Sequence, residues 1–247
     1  MKNFFRFVMA AAVLFGAVAC SQNQVEEVVG NEEITTTFSV GLENLGTRAT
    51  TAGTAKMITN VKYGIYDVNA NGKYLPISGD VEFDQTKGMA EIKVTLFTGK
   101  TYDLVFWAYD AANTTAYDVD MEKREVTVNY ENLAANDESR DCFWFVRHDL
   151  KIEGPVSETF TLTRPLAQLN LGVTSQDVAD AEAAGFKVSD SQITVNTYTK
   201  FNMFDGAVSE PTLTTAVFEQ ATSPVNGADI LTVNDDPTQY KYLATTY

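Results

Sequence analysis

Apolar and polar residues alternate along much of this chain, and that alternation predicts strands. The clearest case runs from Ile34 to Leu42. There Ile34, Thr36, Phe38, Val40 and Leu42 share one face, while Thr35, Thr37, Ser39 and Gly41 share the other. Glu91 to Leu96 alternates in the same way. β-Branched and aromatic residues predict further strands at Met57–Val68, Val81–Phe83, Ala90–Phe97, Thr101–Tyr109, Arg124–Tyr130, Phe143–Val146 and Thr159–Thr163. The run Tyr102 to Ala108 is apolar almost throughout, so it is expected to lie centrally, with Trp107 in the core. Asn71-Gly72 is a hairpin-turn signal.

Glu153-Gly154-Pro155 reads as a domain boundary. Beyond it Leu169, Leu171 and Val173 alternate along a new strand. One helix is predicted over Asp177 to Ala184, capped by Thr174 or Ser175 and ended by Gly185. Strands return at Gln192–Thr199, Thr212–Phe218 and Asp229–Val233, and Tyr240 to Ala244 reads as mid-strand. Many short strands separated by turn signals predict an all-β chain built from β-sandwich domains. The expected division is residues 34–153 and residues 154–247. The second domain carries the one short helix and is expected to be incomplete at its C-terminal end.

The residues before Ile34 follow a different pattern. Lys2 and Arg6 precede a short apolar run, Phe7 to Ala19, that ends at Cys20. A bilayer needs about 20 apolar residues, so this run is too short to span one and reads as a secretory signal over residues 1–19. Ala17-Val18-Ala19-Cys20 is similar to a bacterial lipobox, in which the cysteine thiol is lipidated. The other reading is an ordinary cut after Ala17-Val18-Ala19 that leaves a free cysteine. Ser21-Gln22-Asn23-Gln24 is polar, and residues 20–33 are read as a lipidated tether to a membrane. If Cys20 carries lipid, Cys142 has no disulfide partner and is read as a small buried hydrophobe. On the other side of the first strand, Arg48 lies in the small-residue stretch Gly46 to Gly53, a sequence that suits a trypsin-like cut.

Charge narrows the partners. The chain has 18 Lys plus Arg and 33 Asp plus Glu, for a net charge of −15. Such a balance argues against nucleic acid and against polybasic membrane contact. Chemistry is sparse. Asp67-x-Asn69-x-Asn71-Gly72 opens like a calcium loop, but Ser78 stands where the bidentate Glu belongs. His148 is the single histidine and is read as a polar loop residue; the chain has no histidine pair for zinc and no G-x-S-x-G elbow. No catalytic residue, cofactor or metal is expected. The aromatic residues are read as core in preference to a sugar platform.

The segment Ile34 to Leu42 carries weight of its own. Its four large apolar side chains are worth at most about 6–12 kcal/mol of burial. A whole domain is stable by only about 5–15 kcal/mol. The segment is therefore structural while present. Its loss would open a groove that another strand can fill by β-augmentation.

Several motifs together resemble the fimbrillin-like proteins of type V pili from Gram-negative anaerobes. They are the lipobox-like Cys20, Leu45-Gly46-Thr47-Arg48-Ala49, Val61 to Asp67, Lys100 to Ala108, Asp137 to Asp141, and Leu162 to Asn170. The resemblance implies two transthyretin-like (Ig-like) β-sandwich domains and export as an outer-membrane lipoprotein, lipidated at Cys20. It also implies arginine-specific cleavage between Arg48 and Ala49, which would remove residues 34–48 with Ile34, Phe38, Val40 and Leu42. A strand from another pilus subunit would then enter by donor-strand exchange. The implied partners are other subunits, lipoprotein-processing enzymes, an arginine-specific protease and the outer membrane through lipid. The expected function is a structural and adhesive pilus subunit at the cell surface or in the fimbrium. The alternative is a monomeric surface lipoprotein that binds glycan or host protein through a loop face.

Overall fold

The computed structural model describes residues 32–43, 55–68, 77–209, 214–220, 223, 230–232 and 239–246. In chain order the first half contains β1 (Glu33–Leu42), β2 (Asn60–Asp67), β3 (Ile77–Glu82), β4 (Met89–Phe97), β5 (Thr101–Tyr109), β6 (Tyr117–Asp120), β7 (Glu125–Val128) and β8 (Phe143–Lys151). The second half contains β9 (Ser157–Leu162), β10 (Leu169–Thr174), α1 (Ser175–Ala183), β11 (Ser191–Thr197), β12 (Lys200–Asn202), β13 (Val208–Ser209), β14 (Thr214–Gln220), β15 (Ile230–Thr232) and β16 (Gln239–Thr246). Among the described residues the fold is thus all-β apart from α1 and one short 3₁₀ turn. The predicted helix is present, with Thr174 accepting a hydrogen bond from the Asp177 amide and Gly185 following at φ +83°.

Three sheets are stacked in the first body. The middle one has the order β3-β2-β5-β8. Its β5 strand is buried at every position from Tyr102 to Ala108, because both of its faces are covered. Leu104, Phe106 and Ala108 belong to one core, with Val61 and Ile65 of β2 and Phe143 of β8. Val105 and Trp107 belong to a second core, with Tyr66, Val126, Cys142, Phe201 and Met203. A continuous apolar run is what a strand covered on two sides requires.

The first core is closed by the sheet β4-β1-β9. The link from the middle sheet to this one is the tight β3–β4 connection. There Asp84 bridges Met89, and Gly88 takes φ +68° and donates to the Asp84 carbonyl at 2.8 Å. The second core is closed by the sheet β13-β12-β7-β6. Trp107 is fully buried there, edge-on to Tyr117 at 5.4 Å and tilted against Phe201 at 5.9 Å.

A smaller second body pairs the sheets β10-β16-β15 and β11-β14 around Ile193, Ala216, Phe218 and Ala244. The loop after β7 ties it to the first body. Ala135 donates to the Glu219 carbonyl at 2.8 Å, and Asn136 and Thr245 exchange hydrogen bonds at 2.8 and 2.9 Å.

The expected boundary at Glu153-Gly154-Pro155 falls between β8 and β9. The chain turns there but stays in the first body, because β9 pairs in parallel with β1 and buries Phe160 and Leu162 in the first core. The later hairpin β12–β13 also returns to the first body, pairing with β7 and bringing Phe201 onto Trp107. The strands β6, β12 and β13 were not anticipated from the sequence, being two to four residues long.

Trp107 fixes the cost of uncovering the second core. Trp107→Ala is expected to lower unfolding stability by about 3–5 kcal/mol in urea titration. Trp107→Phe should cost less, because the buried indole N–H has no hydrogen-bond partner to lose.

Candidate functional site

The alternation in Ile34 to Leu42 becomes the burial pattern of β1. Thr36, Phe38 and Val40 are fully buried, Ile34 and Leu42 are half-buried, and Glu33 and Thr35 are exposed. The core face read from the sequence is therefore the observed one.

What surrounds β1 is decided by the sheet. The strand lies between two neighbours that are distant in the chain. It runs antiparallel to β4, in register from Glu33 opposite Phe97 to Gly41 opposite Met89. It runs parallel to β9, from Thr37 opposite Ser157 to Leu42 opposite Leu162. Both ends are fastened. At the start, the Glu32 amide donates to Thr98 Oγ1 at 3.1 Å and the Thr98 amide to the Glu32 carbonyl at 3.0 Å. At the exit, the Glu43 amide donates to the Leu162 carbonyl at 2.8 Å, and the Glu43 carboxylate accepts from the Arg164 amide at 3.2 Å.

Beneath β1 lies the first core. Phe38 meets Phe160 at 5.7 Å, and Phe160 in turn meets Phe106 at 5.3 Å and Phe145 at 5.4 Å. Phe38 stands opposite Ile92 across the antiparallel ladder, and Val40 stands opposite Ala90. Fully burying two such side chains is worth about 3–6 kcal/mol. Without β1 the slot would expose that apolar floor and leave β4 and β9 with unpaired backbone groups facing each other. The slot is thus a strand-shaped binding site occupied by the chain's own first strand. Cys20, Arg48 and Ala49 lie outside the described residues, as do Asn71 and Gly72.

Two other features take up the remaining chemistry. His148 lies in β8 and not in a loop, which corrects the expectation. Its Nε2 lies 3.0 Å from the Phe204 carbonyl, and its Nδ1 lies 3.3 Å from Asp103 Oδ1. Asp103 also accepts from the Asp149 amide at 2.9 Å, where Asp149 takes φ +53° beside a bulge in the β5–β8 ladder. Both partners are acceptors, so a neutral ring donates to one of them; the Phe204 contact joins the middle sheet to the turn after β12. Asp67, the first residue of the calcium-like sequence, is instead paired with Lys100 Nζ at 2.6 Å.

Beside the β9 exit, Arg164 grips Asp141 through Nε and a terminal nitrogen, both at 2.6 Å, with Asp141 almost fully buried. The neighbouring Cys142 is buried, and desolvation pushes its thiol up to about 12. A thiol held protonated is a poor nucleophile, which agrees with its reading as a small hydrophobe. A shallow cleft runs along Arg140, Asp141, Cys142, Arg164 and Leu166. Among the described residues, no cluster of His, Cys, Asp and Glu suits a metal ion, and no helix is long and apolar enough to cross a membrane.

The profile of a family of unknown function (DUF6562) matches residues 25–247. No curated protein matches the chain. Among solved structures it is similar to a candidate polysaccharide-binding protein (DUF1812) from Bacteroides thetaiotaomicron, at 15% identity and TM-score 0.49, covering 85% of this chain and 71% of that one. It is similar to the tip fimbrial protein Mfa3 from Porphyromonas gingivalis, at 10% identity and TM-score 0.48, covering 86% and 69%. It is also similar to the fimbrial anchor protein Mfa2 from the same organism, at 11% identity and TM-score 0.46, covering 86% and 73%. Likeness at this level does not carry a role from those proteins to this chain.

Two measurements check the site. Phe38→Ala is expected to lower stability by about 3–5 kcal/mol in urea titration, although it alters only the first strand. Cys142 is expected to resist iodoacetamide at pH 8 in the folded protein and to react once urea unfolds it, as peptide mapping by mass spectrometry would read.

Proposed function

We propose that this chain, which belongs to the family of unknown function DUF6562, is a fimbrillin-like structural and adhesive subunit, exported to the cell surface as a lipoprotein. The observation that carries this reading is the place of β1. It is the middle strand of its sheet, yet it is followed within a few residues by Arg48 in a small-residue stretch. A single cut there severs the strand from the rest of the fold.

The sequence supplies the order of events. Cys20 receives lipid and holds the chain at the outer membrane through residues 20–33. An arginine-specific protease cuts between Arg48 and Ala49, and β1 then leaves with the lipidated segment. The slot between β4 and β9 accepts an extended strand from another subunit, which restores the ladders on both sides and covers Phe160, Ile92 and Val94. Replacing one strand by another exchanges similar hydrogen bonds and similar apolar area, so assembly requires little net change in covered surface.

The role is structural, without catalysis. His148 lies between Asp103 and the Phe204 carbonyl, and Cys142 is buried with its thiol held protonated. Net charge of −15 favours solubility outside the cell over contact with nucleic acid.

N-terminal mass spectrometry of protein taken from the native cell surface tests the reading. A mature terminus at Ala49 that disappears in Arg48→Ala is the expected result. A lipidated Cys20 terminus that Arg48→Ala leaves unchanged would overturn the cleavage step.

A further inference from the structure

The strand that fills the slot has one defect. Thr36 is fully buried on the core face of β1, and its hydroxyl has no hydrogen-bond partner. It stands in register opposite Val94, two residues from Phe38 along the same face. Its flanking threonines differ. Thr35 is exposed and Thr37 only half-buried, so their hydroxyls remain within reach of water. A buried hydroxyl has given up its water, and with no replacement partner that loss counts against the folded state. Valine has nearly the same shape and no such loss.

We propose that Thr36 makes β1 a weakened occupant of its own slot, and that the slot selects an incoming strand with valine or isoleucine at the Thr36 register. The selectivity rests on the reading of β1 as a removable strand; the weakening itself does not. A strand that must be held through folding and export and then replaced has to bind less well than its successor. The orphaned hydroxyl supplies such a difference at a single position, without changing the hydrogen-bonded ladders to β4 and β9. The partner is defined by chemistry: an extended segment with alternating apolar residues, β-branched and wholly apolar where β1 has Thr36.

Urea unfolding of the full chain gives the first test. Thr36→Val is expected to raise the folding equilibrium constant about tenfold. The exposed control Thr35→Val should change it by no more than about twofold. For the second test, the chain cut after Arg48 is offered fluorescent peptides of residues 32–43, either native or carrying Thr36→Val. The substituted peptide is expected to bind about tenfold more tightly. A folding constant that stays the same or falls in Thr36→Val overturns the proposal, whatever the peptides do. Equal uptake of the two peptides overturns the selectivity while leaving β1 exchangeable. Uptake of neither, with Thr36→Val still stabilising, overturns the strand-exchange reading and the selectivity built on it, and supports the weakening alone.

Discussion

Everything in the first body depends on the middle sheet being buried on both faces. Along β5, Leu104, Phe106 and Ala108 pack to one side while Val105 and Trp107 pack to the other. A sheet with two apolar faces is insoluble without two covers. The β4-β1-β9 sheet is one cover, and the β13-β12-β7-β6 sheet is the other. The covers are recruited from far along the chain. β1 comes from its start, β9 from beyond Pro155, and the β12–β13 hairpin from between two strands of the second body. The two bodies are therefore interleaved in sequence although each has its own core.

This constraint explains why β1 matters more than its ten residues suggest. A cover is broken if its middle strand is missing, because β4 and β9 each pair with β1, although both also bury side chains of their own in the core. Phe38 against Phe160 is the point where the first strand meets the aromatic chain that runs through Phe106 and Phe145. The slot is specific in shape because it is closed on both sides, and less specific in sequence because most of its contacts are backbone ladder and apolar area. Thr36 is the exception, since a buried hydroxyl without a partner discriminates between side chains of the same shape.

Much of this could be read in the chain. Period-two alternation placed Phe38 and Val40 inward, and the unbroken apolar run placed β5 at the centre. Thr174 and Gly185 marked the ends of α1 through capping chemistry that is local by nature. The short strands β6, β12 and β13 were not legible, because two to four residues are too few to show a period. A hint was nevertheless present: a central strand as apolar as Tyr102 to Ala108 demands a second cover. Gly154-Pro155 marks a turn, and Gly and Pro do so whether the chain then leaves a domain or re-enters it; the pairing of β9 with β1 was not legible there. His148 was misread as a loop residue because Arg147, His148 and Asp149 break the apolar pattern; the break is a bulge, with Asp149 in the left-handed region.

By itself the sequence determined which faces are apolar, where turns and the helix cap fall, and which sides of β1 and β5 go inward. These follow from local sterics and from side-chain polarity, which neighbours in the chain suffice to express. Only the tertiary structure decided who stands beside whom. It put β1 between β4 and β9, carried Phe201 back to Trp107, and left the Thr36 hydroxyl without a partner. Those outcomes depend on contacts between residues up to 120 positions apart, chosen because the middle sheet has two faces to hide.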